Sequence, residues 1–296
     1  MEISRPKLKV AILGSGNIGT DLLVKTSRSE HLTCSLMIGR NLASPGMTRA
    51  HAMGVMVSDR GVARTLSEVE PPDLIFDATS ASAHLENWAF LERYGRPVID
   101  LTPSRVGTMC VPALNLDDAT NRPNVNMVTC GGQASIPLAH IIGRIHPDVS
   151  YIEVVSSIAS QSAGLATRAN IDEYVETTER AVQAFSGAPR AKAILILNPA
   201  QPCIDMQTTV FATVDRPQLP ELAAAVDEMV QSIQSYVPDY RLVVPPVYEN
   251  GRIAMTVRVR GRGDFLPKYA GNLDIINCAA VAVAEEHARS EAHCHA

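Results

Sequence analysis

The residue with most chemistry to offer is Cys130, in the stretch Met127-Val128-Thr129-Cys130-Gly131-Gly132-Gln133. A strand-like run ends at the cysteine, two glycines follow, and a helical pattern opens near Gln133. A thiol at a helix N-terminus has its thiolate favoured by the helix dipole and by free backbone N–H groups. The same amides can stabilise an oxyanion on an attacked carbonyl, and the glycines leave room for a substrate and a planar cofactor ring. Cys130 is a candidate nucleophile; the alternative is a buried core cysteine. The remaining cysteines, Cys34, Cys110, Cys203, Cys278 and Cys294, lack this setting and show no CxxC pairing. They read as reduced thiols, with neither a metal site nor a disulfide framework. Cys278 falls on an apolar helix face, and Cys294, between His293 and His295, reads as a frayed tail rather than a weak metal ligand. No histidine presents itself as a base. His140 lies about 15 Å along the following helix, and His84 and His146 read as surface or capping residues.

A second constellation lies near the N-terminus. Gly14-Ser15-Gly16-Asn17-Ile18-Gly19 is a GxGxxG between a strand-like run, Lys7–Leu13, and a helical pattern, Thr20–Ser27. In a dinucleotide site the first glycine makes the tight turn, the second lets the backbone approach the pyrophosphate, and the third lets helix and strand pack closely. A glycine turn without cofactor is the plainer alternative. The next strand ends Ile38-Gly39-Arg40-Asn41, with no acid where an NAD ribose is usually read. Arg40 either tolerates a 2′-phosphate, giving relaxed NAD/NADP choice, or stacks on adenine or faces solvent. Asp77 and Asp100 also follow strand-like runs, at the edge where ligands bind in open α/β sheets, or they cap turns.

These residues need an α/β scaffold, and the pattern supplies one. Short apolar runs at Leu32–Ile38, Asp73–Ala78, Pro97–Leu101 and Asn124–Thr129 alternate with helical stretches such as Ser82–Tyr94, as βαβ units of a Rossmann-type doubly wound parallel sheet do. After Cys130 the texture changes. Helices are expected at Gln133–Ile145, at Asn170–Ser186 with Asn170 as N-cap, and at Pro220–Tyr236. Strands are expected at Tyr151–Ala159, Ala191–Leu197, Ile204–Val214, Arg241–Val247 and Arg252–Arg260, the last with arginines on its wet face. A mixed or antiparallel sheet in a second domain follows. The expected division is 1–130 for cofactor binding, completed by the C-terminal helix 272–296, and 131–271 for catalysis and dimerisation. With 296 residues and 46% hydrophobic residues, two packed cores are possible. A net charge of −5 argues against a broad nucleic-acid surface. The N-terminus lacks the apolar region of a targeting signal and no run is long enough to cross a membrane, so a cytoplasmic protein is expected.

Five stretches carry a family resemblance: GSGNIGTDLL at Gly14–Leu23, FDATSASAH at Phe76–His84, NVNMVTCGGQASIP at Asn124–Pro137, SAGLATRANIDEYVETT at Ser162–Thr178 and KYAGNLDIINCAA at Lys268–Ala280. Together they resemble the acylating acetaldehyde dehydrogenases that work beside 4-hydroxy-2-oxovalerate aldolases in the meta-cleavage degradation of aromatic compounds. The resemblance implies a Rossmann domain with a second α/β dimerisation domain, like the semialdehyde and glyceraldehyde-phosphate dehydrogenases. It implies Cys130 as acyl-thioester nucleophile, and a cofactor site at Ser15–Ile18, at Ser162, Ala163, Gly164, Leu165, Ala166, Thr167, Arg168, Ala169 and Asn170, and at Asn272. Two departures stand out. The family loop commonly reads SxGPGTR, where this chain has Leu165-Ala166 in place of Pro-Gly. Relatives often carry an Asp, sometimes proposed as acid/base, where this chain has Thr208; either Asp205 substitutes or water is the base.

The resemblance implies CoA-dependent oxidation of acetaldehyde or propionaldehyde by NAD, with a homodimer inside a hetero-oligomer with the aldolase. Arg168, Arg258, Arg260 and Arg262 could meet the anionic coenzyme, the last three reading rather as a solvated strand face. The rivals are a phosphorylating semialdehyde dehydrogenase, which needs a catalytic histidine and phosphate-binding arginines not found in the sequence, an alcohol or sugar oxidoreductase with an inert Cys130, and a non-catalytic NAD-binding partner of an aldolase.

Overall fold

The computed structural model describes residues 7–66 and 71–294, with the side chains of Leu66, Leu165, Ala166 and residues 291–294 excepted. The stretch before Lys7, read for a targeting signal, and the Cys294 side chain lie outside the described residues. The chain divides into two units. One runs to Cys110, takes up Asn115–Met127 and resumes at Ala280; the other holds Val111–Leu114 and Val128–Ala279.

The first unit follows from apolar runs too short and β-branched for helices, each closed by glycine or a polar turn. It contains β1 (Leu8–Leu13), α1 (Asn17–Arg28), β2 (Leu32–Ile38), α2 (Pro45–Ala52), β3 (Met56–Ser58), β4 (Leu74–Asp77), α3 (Ala81–Leu91), β5 (Val98–Asp100), β6 (Thr108–Met109), most of α4 (Pro112–Thr120) and β7 (Asn124–Asn126). The sheet order is β3-β2-β1-β4-β5-β7-β6, with every pair parallel. The chain winds outward from β1 to β3 and then returns to β4 on the other side. That places a topological switch point between β1 and β4, where open α/β sheets bind ligands. Ala11, Leu13, Leu36, Ile38, Ile75, Leu91 and Val98 form one buried layer of this unit. α2, β3 and β6 were not legible in the sequence, being too short to show a period.

The second unit contains α5 (Cys130–Ile145), β8 (Tyr151–Ala159), α6 (Leu165–Ala169), α7 (Ile171–Ser186), β9 (Ala191–Asn198), β10 (Met206–Thr213), α8 (Leu219–Gln234), β11 (Tyr240–Glu249), β12 (Arg252–Val259) and the start of α9 (Gly271–Cys294). Its sheet runs β11-β12-β10-β8-β9, antiparallel except for β8 and β9, which are parallel and joined through α7. Strict alternation buries Ile152, Val154, Ser156 and Ile158 of β8, Met206, Thr208, Val210 and Ala212 of β10, and Ile253, Met255, Val257 and Val259 of β12. α5, α7 and α8 pack on the sheet, as a one-sided sheet requires. The expected strand through Thr129 stops instead at Asn126, and the helix expected near Gln133 begins at Cys130 itself. The cause is Thr129, whose Oγ1 accepts the Gly132 N–H at 2.9 Å and starts the helix three residues early.

The strand ends of the first unit are joined by a buried polar network, and here the expectation of a surface His84 is overturned: the residue is fully buried. Its Nδ1 donates to Asp77 Oδ2 at 3.0 Å, and its Nε2 faces Asp100 Oδ2 at 3.5 Å. Asp77 also accepts from Thr79 N and Asn87 Nδ2, while Asp100 accepts from Thr102 N, Ser104 Oγ and Asn126 Nδ2. Both carboxylates thus cap turns, as the sequence suggested, and also clamp a histidine. Burial lowers the affinity of His84 for its second proton, but the bond it donates to Asp77 and the charges of Asp100 and Asp77 outweigh it and the pKa is raised above 6.5. A doubly protonated ring requires Asn124, whose Nδ2 lies 3.1 Å from Nε2, to present its oxygen instead. Asn124 Oδ1 is a buried acceptor without a partner, so turning the amide over satisfies both groups.

Burial pushes Asp100 up to about 6 from 3.8, against the opposing pull of His84. A group that binds its proton more tightly when folded stabilises the fold at low pH, and that contribution fades as pH rises through its folded pKa. The stability difference between the wild type and Asp100→Asn should therefore fall as pH rises from 3.8 to about 6. His84→Ala leaves two buried carboxylates without their cation and should cost about 3–5 kcal/mol. Urea unfolding across this pH range measures both; a His84→Ala protein as stable as the wild type would show the network to be dispensable.

Candidate active site

In the first unit each motif glycine has a separate physical task. Gly14 has φ +103°, and a Cβ there would lie 2.5 Å from the Ala78 carbonyl oxygen. A Cβ on Gly19 would lie 1.9 Å from the Gly14 oxygen, so α1 and β1 can meet only without it. A Cβ on Gly16 would meet nothing within 4 Å. The space over the N-terminus of α1 is open, and no side chain caps that helix. An anionic phosphate suits such a terminus. Ser15 Oγ lies 3.1 Å from Ser44 Oγ, and Arg40 is exposed after β2. This set fits a dinucleotide pyrophosphate.

The second unit holds Cys130, the loop from Ser162 to Asn170, and Asn272. Ser162 is buried and donates to the Ala159 carbonyl at 2.8 Å, and Ala163 is buried beside it. Residues 165–169 form α6, so the altered loop sequence is helical. Arg168 folds back on its own loop, donating to the Ala163 oxygen at 3.1 Å and to the Ser160 oxygen and Oγ at 3.0 and 2.9 Å. Its guanidinium clasps the loop here. Asn170 occupies the N-cap position of α7 but makes no side-chain capping bond. Asn272 is buried at 1% exposure with neither Oδ1 nor Nδ2 hydrogen-bonded. An orphaned buried amide costs roughly 1–3 kcal/mol, and a polar group of a bound molecule such as a carboxamide would satisfy it. The Asn272 amide fits the carboxamide of a nicotinamide cofactor.

Cys130 is the first residue of the sixteen-residue helix α5. The turn before it is strained. Val128 has φ +60°, a left-handed conformation that a β-branched residue adopts at a cost of about 1–3 kcal/mol. Behind it, Thr178 donates to the Tyr174 carbonyl at 2.7 Å, so in the 2.7 Å pair of Thr129 with Thr178 the proton comes from Thr129. Thr129 thus caps α5 and ties it to α7. The Gly132 amide is consumed by this cap, and the amides of Gly131 and Cys130 remain directed at the sulfur.

The expected low-pKa thiol is not what the site holds at rest. Burial pushes Cys130 up to about 11 from 9.0, outweighing the opposing influence of Tyr174 and of the Gly131 and Cys130 amides. Tyr174, which the sequence reading passed over, is 7% exposed, and burial raises its phenol well above 10. A Cβ on Gly131 would fall 2.0 Å from Tyr174 Oη and 2.8 Å from Ser156 Oγ. Thr208 is fully buried on β10, with Oγ1 2.9 Å from Ser156 Oγ across the β8–β10 pair. Asp205 faces Arg260 at 4.0 Å, and Arg262 pairs with Asp264 at 3.9 Å. Cys278 is core, as expected. His140 bonds the Phe185 carbonyl, and His146, buried rather than on the surface, caps α5 and accepts from the Gln218 amide. Tyr174 could have been found from its place one turn into the helix expected from Asn170; the signal for its role, proximity to Gly131, is tertiary.

The architecture is that of the semialdehyde dehydrogenases. A crystal structure of aspartate semialdehyde dehydrogenase II from Vibrio cholerae aligns over 96% of this chain and 98% of its own, with a TM-score of 0.61 at 14% identity. The family model described as prokaryotic acetaldehyde dehydrogenase, dimerisation, matches residues 130–267. Acetaldehyde dehydrogenases of Pectobacterium atrosepticum and Spirochaeta aurantia are 58% and 56% identical, over 94% and 96% of this chain and 95% of each relative. That of Geobacillus stearothermophilus is 49% identical over 96% of this chain and 97% of its own. The chain belongs to the prokaryotic acetaldehyde dehydrogenase family.

The open space at Gly16 yields a direct test. Gly16→Val is expected to fold normally, because a side chain there meets no protein atom, and to weaken binding of the dinucleotide at least tenfold by occupying the pyrophosphate's place. Titration of NADH fluorescence measures this; unchanged affinity would make the motif a structural turn.

Proposed function

We propose that this protein is a nicotinamide-dependent aldehyde dehydrogenase that oxidises acetaldehyde or propionaldehyde to the acyl-CoA through a thioester on Cys130. The observation that carries this reading is Cys130 at the capped start of α5, with the Gly131 amide left free of the cap. The sulfur, as thiolate, adds to the aldehyde carbon; a C–S bond forms and the carbonyl π electrons move to oxygen. The Gly131 N–H is the available donor for that oxyanion. The bound cofactor supplies a hydride acceptor. Loss of hydride from the former aldehyde carbon re-forms the C=O bond and leaves Cys130 acylated, the substrate having lost two electrons. The thiol of coenzyme A then gives its proton to water, adds to the acyl carbon and expels the Cys130 sulfur. The covalent step divides one difficult transfer into two easier ones. Gly14, Ser15, Gly16, Asn17, Ile18 and Gly19 would hold the dinucleotide, with Ser162–Asn170 and Asn272. Exposed Arg40, with no acid beside it in the sequence, supports use of NADP as well as NAD.

The same reading makes the protein a homodimer, joined through its second unit. Supporting this are the apolar side chains left exposed on its edge strands, Ile194 and Ile196 on β9 and Val244 and Val247 on β11. It further assigns a 4-hydroxy-2-oxovalerate aldolase as partner, in the breakdown of aromatic compounds, with the chain in the cytoplasm. Among the described residues no helix is long and apolar enough to cross a membrane.

Cys130→Ala is expected to abolish CoA-dependent NADH formation from acetaldehyde while leaving dinucleotide affinity within a few-fold. Mass spectrometry of the wild type with aldehyde and NAD but without CoA should find an acyl group on Cys130; more than a tenth of wild-type turnover in the variant refutes the thioester. Co-expressed aldolase should co-purify, and an external aldehyde trap should intercept little of the aldehyde it makes. Capture of nearly all the aldehyde, with no complex on gel filtration, would make this a free-standing dehydrogenase.

A further inference from the structure

A thiol that resists ionisation is a poor nucleophile, so the site must supply something that favours the thiolate once it forms. Burial opposes ionisation of Cys130, and Tyr174 with the Gly131 and Cys130 amides favours it. The site thus has to work with neutral donors. The phenol is more than nine-tenths buried, lies against the Gly131 backbone, and makes no aligned hydrogen bond with any neighbour. A phenol held dry and unsatisfied, with a reactive sulfur beside it, is a donor in waiting.

The direction of donation follows from what surrounds it. Tyr174 stays protonated, because burial and the adjacent sulfur both oppose a phenolate. Its oxygen can accept from Ser156, which favours charge on it, whereas its bond with Cys130 opposes a phenolate, as a proton given to the sulfur does. Ser156 has a single proton; once that is given to Tyr174, the 2.9 Å bond to Thr208 must be donated by Thr208. The hydroxyls then run in one sense, Thr208 to Ser156 to Tyr174 to sulfur, and each bond polarises the next. Thr208, on β10, and Ser156, on β8, face each other across paired strands, so the start of the chain is fixed by sheet register.

We propose that Tyr174, fed by Ser156 and Thr208, is the hydrogen-bond donor that holds the Cys130 thiolate, doing with an uncharged hydroxyl chain what an imidazolium does in other thiol enzymes. Cys130 gives its proton to solvent water; the Tyr174 O–H turns onto the sulfur's new lone pair and keeps its own proton throughout. When the sulfur adds to the aldehyde carbon, that donor is released, and it is in place again when coenzyme A expels the sulfur. This role rests on the thioester reading for its purpose, but the ionisation of Cys130 can be measured without any substrate.

The test is the ultraviolet thiolate absorbance of the cofactor-free enzyme against pH, each protein corrected by its Cys130→Ser counterpart. Tyr174→Phe keeps the ring and removes the hydroxyl; the apparent thiol pKa should rise by at least one unit, with the circular dichroism unchanged. Ser156→Ala and Thr208→Val, which leave the phenol in place, should give smaller rises in that order, and Thr208→Ser should restore the wild-type curve. In steady state Tyr174→Phe should lower kcat about tenfold with little change in aldehyde KM. Coincident ionisation curves for wild type and Tyr174→Phe overturn the proposal whatever the enzyme's substrate. If Tyr174→Phe does not fold, an unshifted curve for Ser156→Ala overturns it equally. A shifted curve in a protein that forms no acyl-enzyme would uphold the donor and remove the thioester reading instead.

Discussion

The candidate active site depends on a side chain that is missing. Gly131 presents bare backbone to Tyr174 and Ser156, and any larger residue would collide with the phenol oxygen. Because that gap exists, α7 can bring a hydroxyl against the start of α5, β8 can bring another from below, and the helix can still begin on its cysteine. The cap from Thr129, its link through Thr178 to the Tyr174 carbonyl, and the left-handed turn at Val128 all serve the same close approach. Strain at one valine is sustained because hydrogen bonds on both sides fix the turn.

The two units bury polar groups by opposite strategies. In the first, every charged group of the His84 network has an opposite charge or a donor within reach, and the result is a fixed tie between strand ends. In the second, burial is left incompletely compensated: the Asn272 amide has no partner, and Tyr174 has neighbours without alignment. Complete satisfaction makes structure, and deficits of this kind mark places prepared for a visitor or for a change of charge.

Much of this was legible in the sequence, for identifiable reasons. The glycine motif and its flanking strand and helix are local, so their spacing was enough. The alternation of Arg252–Arg260 is also local and announced a half-buried strand. The start of α5 was misplaced because glycines after Cys130 look like a loop, whereas a threonine cap overrides their poor helix propensity. His84 was misjudged because a histidine in an amphipathic helix near a polar turn carries no mark of burial; beyond nearby Asp77, its partners lie on β5 and β7, farther along the sequence. Tyr174 escaped for the same reason, and the rise of the Cys130 pKa could not be read at all, since desolvation is a property of packed neighbours.

The path of α9 has a consequence for how the molecule is made. Its residues from Ala280 onward belong to the first unit, where Glu285 accepts from Ser29 at 2.6 Å and His287 lies 3.4 Å from the Thr120 carbonyl. The residues of the thiol-bearing unit therefore leave the ribosome before the α9 segment that belongs to the parallel sheet's unit. At about 5–20 residues per second, the nascent sheet waits roughly ten to thirty seconds for its last helix. During that wait the side chains destined to lie beneath the helix are open to water, and to chaperones, on a chain whose second half can already close.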